Sequence, residues 1–596
     1  MTISFSLDGL KAAYDAGMHP AEVVQETFRR IESGPDPAVW ITLRPREVVM
    51  RDVERLARET RAHLPLWGVP FAVKDNIDTG GLATTAACFP LAYRPGTDAP
   101  VVARLRAAGG LLVGKTNLDQ FATGLGGVRS PYGAPRCVFD PEHVSGGSSS
   151  GSAVAVARAQ VAFALGTDTA GSGRVPAAFN HVVGIKPTRG LLSTRGVLPA
   201  SRSLDCVSVF AASCADGDLV RRIAQGFDPA DSFARPSRQR SLSLAGLSVG
   251  VLAGDDVDLD GDPAAAALYA RAIEAVAALG WDARAIDYAP FRDAGRLLYG
   301  SALLAERFAG LEPLLARAPD AFDPTVRAIL ERARGFTAAD TFRAQQDLAA
   351  IARRAEREWE KVDVLLLPTA PLLPRVDALL ADPFDGNARL GTYTQFVNLL
   401  DCAAVAFPGG FLPSGLPFGL SLVSPAFCDD DLAVVADDLH RALEPSSGEG
   451  RAPLPAARPP GAPAGDAVHV AVVGAHLSGE PLNYQLTARG GVLVARTRTA
   501  PSYRLYALAG TTPAKPGLFQ DLDASGPGIE VEVWALSREA FGSFVADIPP
   551  PHAIGTVVLA DGDRVKGFLC EATALPGATE ITSLGGWRAY LATREA

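Results

Sequence analysis

One segment limits how the rest of this chain can fold. Residues 446–466 are dominated by proline, glycine, alanine and serine, a composition that favours neither helix nor sheet. At 596 residues the chain is also too long for one hydrophobic core. The sequence therefore predicts a first domain over residues 1–445, a linker over 446–466 and a second domain over 467–596.

The two predicted domains differ in their pattern of apolar residues. Before the linker, short apolar runs such as Val69 to Val73 and Leu111 to Val113 alternate with helical periodicity. This pattern predicts an α/β domain around a mixed, largely buried sheet. After the linker, strand-like runs alternate with Gly and Pro turns, at 468–473, 492–499, 529–535 and 555–559. The second domain is therefore predicted to be small and β-rich.

Composition argues against several kinds of partner. A formal net charge of −10 does not favour a polyanion, so no nucleic acid is expected. The most apolar stretch, Ala153 to Leu165, is too short to cross a bilayer, so it is interpreted as a buried helix and no membrane partner is expected. The N-terminus has no signal-peptide pattern, and the seven cysteines show no C-x-x-C or zinc-ligand spacing. We expect a cytoplasmic protein with reduced thiols, no metal and no cofactor.

Three segments carry residues of catalytic type: Lys74 to Asn76, Ser145 to Ala153, and Gly166 to Pro176. The second contains G-x-S-x-G, which by itself would indicate a nucleophile elbow centred on Ser149. Such an elbow directly follows a strand, whereas residues 139–144 contain a proline and are interpreted as a loop. A flexible Gly/Ser linker is the other alternative, but an apolar helical run follows at once.

Together the three motifs resemble the amidase signature family in order and spacing, over roughly residues 20 to 440. The resemblance implies an α/β/α fold around a mixed sheet and hydrolysis of an amide by a Ser–Ser–Lys triad. It assigns Ser172 as nucleophile, Ser148 as a bridging serine after a cis peptide bond, and Lys74 as base. Ser150 and Ala170 stand where the family usually has glycine, and neither change removes a reacting side chain.

The chemistry sets further requirements on these residues. A lysine acts as a base at neutral pH only when burial or neighbouring groups lower its pKa, so Lys74 is predicted to be buried. Asp168 and Arg174 are predicted to hold the nucleophile loop by hydrogen bonds. The turn around the nucleophile resembles the backbone oxyanion hole of the family, formed here by Thr169, Ala170, Gly171 and Ser172.

Two other segments, residues 121–133 and 473–485, resemble allophanate hydrolases, as does a linker that joins an amidase to a small second domain. This resemblance implies a small anionic amide as substrate, namely allophanate, which is urea-1-carboxylate. Hydrolysis would release ammonia and N-carboxycarbamate, which then loses CO2 to give further ammonia.

A carboxylate substrate favours an arginine as its partner, because the guanidinium presents a two-pronged donor. The resemblance points to Tyr299 and Arg307 as the substrate clamp, with Gly124 leaving room for backbone contacts. On one helix these two residues could lean to the same side, about 12 Å apart along its axis. Arg292 and Arg296 are alternatives, and Arg307 as a solvated helix arginine is another.

The second domain resembles that of allophanate hydrolases, an α+β domain with a fold like γ-glutamylcyclotransferases. The resemblance implies that it assists the later decarboxylation, with His476 and Glu571 as candidate groups and His552 as a weaker one. A structural role is the alternative for a lone histidine in such a turn. The family further implies a homodimer and functional coupling to a biotin-dependent urea carboxylase.

Two other functions stay open at this point. One is a generic small-amide amidase or the amidase subunit of a tRNA amidotransferase, against which the fused second domain argues. The other is a non-catalytic scaffold that keeps the amidase fold, against which the intact Lys74, Ser148 and Ser172 argue.

Overall fold

The computed structural model describes residues 3–595, except 60, 62, 63, 239, 241, 243, 245, 456–467, 488, 490, 511–513, 537 and 561. These residues form two compact units, one within 1–457 and one within 458–596. Of the predicted linker, residues 456–466 lie outside the described part of the chain.

A mixed sheet of eleven strands lies at the centre of the first unit. The strands are β1 (Trp40–Leu43), β2 (Pro70–Lys74), β3 (Leu111–Thr116), β4 (Phe163–Asp168), β5 (Val183–Lys186), β6 (Cys206–Ala211), β7 (Ser248–Val251), β8 (Asp282–Ala285), β9 (Val364–Pro368), β10 (Cys402–Phe411) and β11 (Pro417–Pro425). Their order is β1-β3-β2-β4-β6-β5-β10-β11-β9-β7-β8. Strand β2 runs parallel to both β3 and β4, so the carboxyl ends of these three strands share one edge of the sheet.

Helices cover both faces of this sheet. They are α1 (Leu7–Asp15), α2 (Pro20–Glu32), α3 (Arg46–Leu56), α4 (Pro100–Ala107), α5 (Ser150–Ala157), α6 (Val175–Phe179), α7 (Cys214–Ala224), α8 (Pro263–Ala278), α9 (Ala289–Gly300), α10 (Leu304–Arg317), α11 (Pro324–Ala333), α12 (Ala338–Trp359), α13 (Val376–Ala381), α14 (Asp385–Leu390), α15 (Phe396–Leu399) and α16 (Asp429–Leu443). Side chains alternate along β2, so that Phe71 and Val73 join one hydrophobic cluster and Ala72 joins another, together with α5. The predicted α/β/α architecture around a mixed sheet is confirmed.

The apolar stretch from Ala153 to Leu165 is not a single helix. Helix α5 ends at Ala157 and strand β4 begins at Phe163. The chain turns between them, with Ala159 at a φ of 48°. The prediction of one buried helix is wrong because apolar content alone does not distinguish a buried helix from a buried strand. No helix among the described residues is long and apolar enough to cross a membrane.

The first part of the predicted linker forms a short β-hairpin. Strands β12 (Ser446–Ser447) and β13 (Ala452–Pro453) pair antiparallel. Between them, the Gly448 N–H donates to the His181 carbonyl at 2.7 Å and the Glu449 N–H donates to the Ala157 carbonyl at 2.9 Å. The prediction that this segment holds no sheet is wrong for residues 446–453, since their backbone groups find partners in each other and in the first unit.

The second unit is built mainly of strands. These are β14 (Val468–Val472), β15 (Val492–Arg498), β16 (Tyr503–Ala507), β17 (Pro516–Gln520), β18 (Glu530–Leu536), β19 (His552–Val558), β20 (Arg564–Cys570) and β21 (Thr579–Glu580), with helices α17 (Tyr484–Thr487), α18 (Arg538–Ala546) and α19 (Trp587–Glu595). One sheet has the order β15-β18-β14-β20-β19 and the other β17-β16-β21. The four predicted strand runs correspond to β14, β15, β18 and β19, and the predicted small, β-rich domain is confirmed.

Candidate active site

The predicted base and the predicted bridging serine lie in contact at the carboxyl end of β2. Lys74 is the last residue of β2, and its Nζ lies 2.7 Å from Ser148 Oγ and 2.8 Å from Thr167 Oγ1. Ser148 follows a cis peptide bond from Gly147 and stands two residues before α5. All three side chains are buried. The amine of Lys74 therefore faces two hydroxyl groups.

Burial of Lys74 changes its acid–base behaviour. Loss of hydration lowers its pKa from 10.5 to about 7. The carboxylates of Asp119, Asp205 and Asp168 act in the opposite direction, while the charge of Arg307 adds to the lowering. A substantial fraction of Lys74 is therefore neutral at neutral pH, as a lysine base requires.

Ser172 lies on a tightly held loop between β4 and α6 and is only 2% exposed. The Asp168 carboxylate accepts the N–H groups of Gly171 at 3.1 Å and Gly173 at 2.9 Å. Arg174 donates to both oxygens of the same carboxylate, each at 2.9 Å. This bidentate pair is the loop-holding role that the sequence predicted for Asp168 and Arg174.

The hydrogen bonds of this loop limit which N–H groups could bind an oxyanion. Because the Gly171 N–H already donates to Asp168, its predicted contribution to an oxyanion hole is not available in this arrangement. The N–H groups of Thr169, Ala170 and Ser172 donate to no other described residue. The Thr169 hydroxyl bonds the buried carboxylate of Asp205. Three of the four predicted donors therefore remain.

Tyr299 and Arg307 meet, but not on one helix. Tyr299 lies in the last turn of α9 and Arg307 lies on α10. Between them, Ser301 leaves helical geometry with φ −134° and ψ −179°. The single-helix prediction is wrong, because the Ser301 hydroxyl bonds the Leu297 carbonyl at 2.6 Å and ends the helix there. Arg307 Nη2 lies 3.4 Å from the Tyr299 hydroxyl.

Among the three candidate arginines, burial distinguishes Arg307. Arg307 is 2% exposed and donates to Thr123 Oγ1 at 2.6 Å. Arg292 instead pairs with Asp256, and Arg296 is exposed. A solvated role for Arg307 is therefore excluded.

Gly124 has a different neighbour from the one expected. A Cβ atom at this position would lie 2.4 Å from Oδ2 of Asp119. The absence of a side chain at Gly124 therefore accommodates the Asp119 carboxylate, a residue that the sequence motifs did not single out. Thr167 and Asp205 were missed as well. For Asp119 and Thr167 a signal was present, since each lies at or just after the carboxyl end of a parallel strand, where sites in α/β proteins form.

The candidate groups of the second unit do not contact each other. His476 Nε2 lies 2.9 Å from Gln485 Oε1, and its ring stacks on Phe568 with centroids 4.9 Å apart. Burial lowers the pKa of His476. Glu571 is exposed. His552 Nε2 lies 2.9 Å from the Pro516 carbonyl oxygen. His476 thus packs against Phe544 and Phe568, and no described hydrogen bond or ion pair links it to Glu571.

Two protein-family models match this chain. The amidase family model matches residues 22–433, and the model of the allophanate hydrolase C-terminal domain matches residues 468–592. The chain belongs to the amidase family and carries an allophanate hydrolase C-terminal domain. The predicted family and the predicted enzyme class, an amidohydrolase, are confirmed.

Individual proteins of known structure or sequence show which members of the family this chain resembles. The structure of Kluyveromyces lactis allophanate hydrolase is similar over the whole of both chains, with 38% identity and a TM-score of 0.77. The urea amidolyase of Saccharomyces cerevisiae is 41% identical over 96% of this chain, which spans only 32% of that relative. A glutamyl-tRNA(Gln) amidotransferase subunit from Symbiobacterium thermophilum is 34% identical over 70% of this chain and 92% of the relative. The chain thus spans about a third of the length of the urea amidolyases it matches.

Proposed function

We propose that this chain hydrolyses a small amide with Ser172 as nucleophile, Ser148 as proton bridge and Lys74 as base. The observation that carries the proposal is the 2.7 Å contact between Lys74 Nζ and Ser148 Oγ in a site where burial lowers the pKa of the amine to about 7. A serine hydroxyl needs such a base, because it is a poor nucleophile at neutral pH.

In the proposed mechanism the proton passes from Ser172 through Ser148 to Lys74. Ser172 Oγ forms a bond to the amide carbon while its proton passes to Ser148, whose own proton passes to neutral Lys74. Thr167 Oγ1 accepts an N–H of Lys74 at 2.8 Å, which leaves the lone pair of the amine for Ser148. Protonated Lys74 returns the proton by the same route to the departing nitrogen, and the C–N bond breaks to leave an acyl-enzyme. Water then repeats the relay and releases the acid.

We propose allophanate as the substrate because of the charge of Arg307. This arginine is buried, yet its hydrogen bonds go to neutral oxygen atoms, those of Ala122, Thr123 and Tyr299. No carboxylate of the described residues lies within ion-pair distance of its guanidinium. A buried guanidinium with no carboxylate in contact is suited to a carboxylate ligand, which allophanate supplies beside its amide. The products are ammonia and N-carboxycarbamate, which goes on to ammonia and CO2.

The remaining proposals concern the second unit and the partners. The second unit would assist the decarboxylation, with His476 and Glu571 as its candidate groups. The chain would act as a homodimer in the cytoplasm and would use allophanate made by a biotin-dependent urea carboxylase. The chain is similar to a segment that makes up about a third of the length of the urea amidolyases, and this similarity supports the coupling.

The substrate proposal is tested by comparing kcat/KM for allophanate, glutamine and a neutral amide of similar size. We expect allophanate to exceed both by about 100-fold or more, since only it places a carboxylate against Arg307. Turnover of glutamine without turnover of allophanate would contradict the substrate and favour the amidotransferase alternative, while leaving the triad in place.

The dependence of the reaction on pH is a further prediction. Only neutral Lys74 can accept a proton, and its pKa is about 7. We therefore expect kcat/KM to fall as the pH drops through about 7 and to reach a plateau at higher pH. A pH series with allophanate measures this limb. A rate that is constant from acidic to neutral pH would show that Lys74 is not the base.

A further inference from the structure

Asp119 lies against the glycine-rich turn that carries Ser148. The Asp119 N–H donates to the Ser148 carbonyl at 3.0 Å. Its side chain accepts two backbone N–H groups, Oδ2 that of Gly127 at 3.0 Å and Oδ1 that of Arg129 at 2.8 Å. Backbone and side chain of this one residue are therefore both fixed next to the bridging serine.

Two glycines leave the space that the Asp119 carboxylate occupies. A Cβ atom at Gly147 would lie 2.0 Å from Asp119 Oδ2, and one at Gly124 would lie 2.4 Å from the same atom. Any other residue at either position would displace the carboxylate. The absence of side chains at Gly147 and Gly124 thus brings a buried carboxylate directly under the peptide bond that precedes Ser148.

The charge of Asp119 has no cationic partner in contact. The side chain is buried, and no Lys or Arg among the described residues lies within ion-pair distance of it. Burial raises the pKa of Asp119, but both oxygens accept backbone N–H groups, which favours the carboxylate. Of the carboxylates that raise the pKa of Lys74, Asp119 acts most strongly, ahead of Asp205 and Asp168.

We propose that Asp119 is a positioning residue that holds Ser148 in place and stabilises the buried ammonium of Lys74 formed when Ser172 attacks its substrate. This inference rests on the proposed triad. Attack moves a proton onto Lys74 and creates a positive charge away from water, where a fixed negative charge has its largest effect. The carboxylate of a Ser–His–Asp triad acts in the same way on its imidazolium.

The effect of removing the Asp119 charge on the pKa of Lys74 depends on the other charges around Lys74. Asp168 is already paired with Arg174, and Asp205 bonds a hydroxyl and backbone N–H groups. Arg307 acts in the opposite sense, lowering the pKa of Lys74. Asp119 accepts hydrogen bonds from backbone N–H groups alone among the described residues. The charge of Arg129 also acts on it, but that guanidinium donates to the carbonyl groups of Thr123 and Pro383. Because the charge of Asp119 raises the pKa of Lys74, its removal must lower this pKa further.

The test measures the rate at which a fluorophosphonate labels Ser172 as a function of pH, in the full chain and in Asp119→Asn. We expect the maximal labelling rate to fall at least about tenfold, and the midpoint of its rise with pH to move down by about one unit. A folded Asp119→Asn protein that keeps the original midpoint would overturn the proposal, because a purely structural role slows labelling without moving the midpoint.

Asp75→Asn is the matched control. Asp75 is also buried and adjoins Lys74 in sequence, but Lys115 Nζ lies 3.2 Å from its Oδ1 and it is not among the principal charges acting on Lys74. We expect its midpoint to stay at the original pH. If Asp119→Asn does not fold, Asp119→Ser replaces it, since it also removes the charge and its hydroxyl can accept a backbone N–H. A lowered midpoint in that variant would support the proposal, and the original midpoint would overturn it.

The labelling assay keeps this proposal separate from the proposed function, because the probe requires neither allophanate nor Arg307. Labelling that persists in Ser172→Ala would show that the triad is wrong. Labelling that depends on Ser172 but has an unchanged midpoint in Asp119→Asn would leave the triad intact and reject the role of Asp119.

Discussion

Replacing Lys74 with methionine is expected to lower kcat for amide hydrolysis by about 10⁴-fold, the scale of loss seen when a member of a catalytic triad is removed. Methionine nearly fills the volume of the lysine stem but cannot accept the proton from Ser148. The stability of the fold should not fall, because burial already disfavours the charged form of Lys74. Steady-state kinetics and thermal unfolding of the variant measure the two effects.

Lys115→Met provides the matched control for this substitution. Lys115 is as buried as Lys74 and lies on the adjacent strand β3, but it contacts Asp75 and, at 3.1 Å, Thr84 Oγ1. Its removal leaves a buried carboxylate unpaired, which costs about 3–5 kcal/mol of stability. Activity per folded molecule should survive, and an equal loss of kcat in both variants would contradict the role of Lys74.

Replacing Arg307 with methionine is expected to lower kcat/KM for allophanate by about 100-fold, mainly through a higher KM. The carboxylate of the substrate would lose its buried guanidinium partner, while a neutral amide would be much less affected. Removal of the positive charge also raises the pKa of Lys74, so the acidic limb of the pH profile should move to higher pH.

Two variants sharpen the test of Arg307. Arg307→Lys keeps the charge but not the two-pronged donor, and we expect it to recover the position of the acidic limb more fully than kcat/KM. Arg296→Met removes an exposed arginine of the preceding helix and should behave as the original protein. Equal losses for allophanate and a neutral amide in Arg307→Met would indicate a structural role for this arginine.

The structure brings residues of the sequence motifs to one edge of the sheet, because they follow neighbouring parallel strands. Lys74 ends a buried strand, and the segment that carries Ser172 follows the parallel neighbour of that strand, so both lie at one edge of the sheet. Apolar runs were sufficient to predict β2 and β3. They were not sufficient for residues 153–165, where helix and strand have equally apolar sequences.

Other features depend on contacts that are distant in sequence. Helix α9 ends where the Ser301 hydroxyl donates to the Leu297 carbonyl. The helical spacing between Tyr299 and Arg307 did not predict this break. The loss of Gly171 as an oxyanion donor depends on where the Asp168 carboxylate points. The position of Asp119 requires two glycines from different segments to meet at one carboxylate. Periodicity and composition do not predict contacts of this kind.

Release of ammonia from allophanate, compared between the intact chain and Ser172→Ala, tests the central claim most directly. The account predicts rapid release by the intact chain and loss of release in the variant, with the fold unchanged. Undiminished release by Ser172→Ala would contradict the assignment of the nucleophile, and with it the Ser–Ser–Lys mechanism.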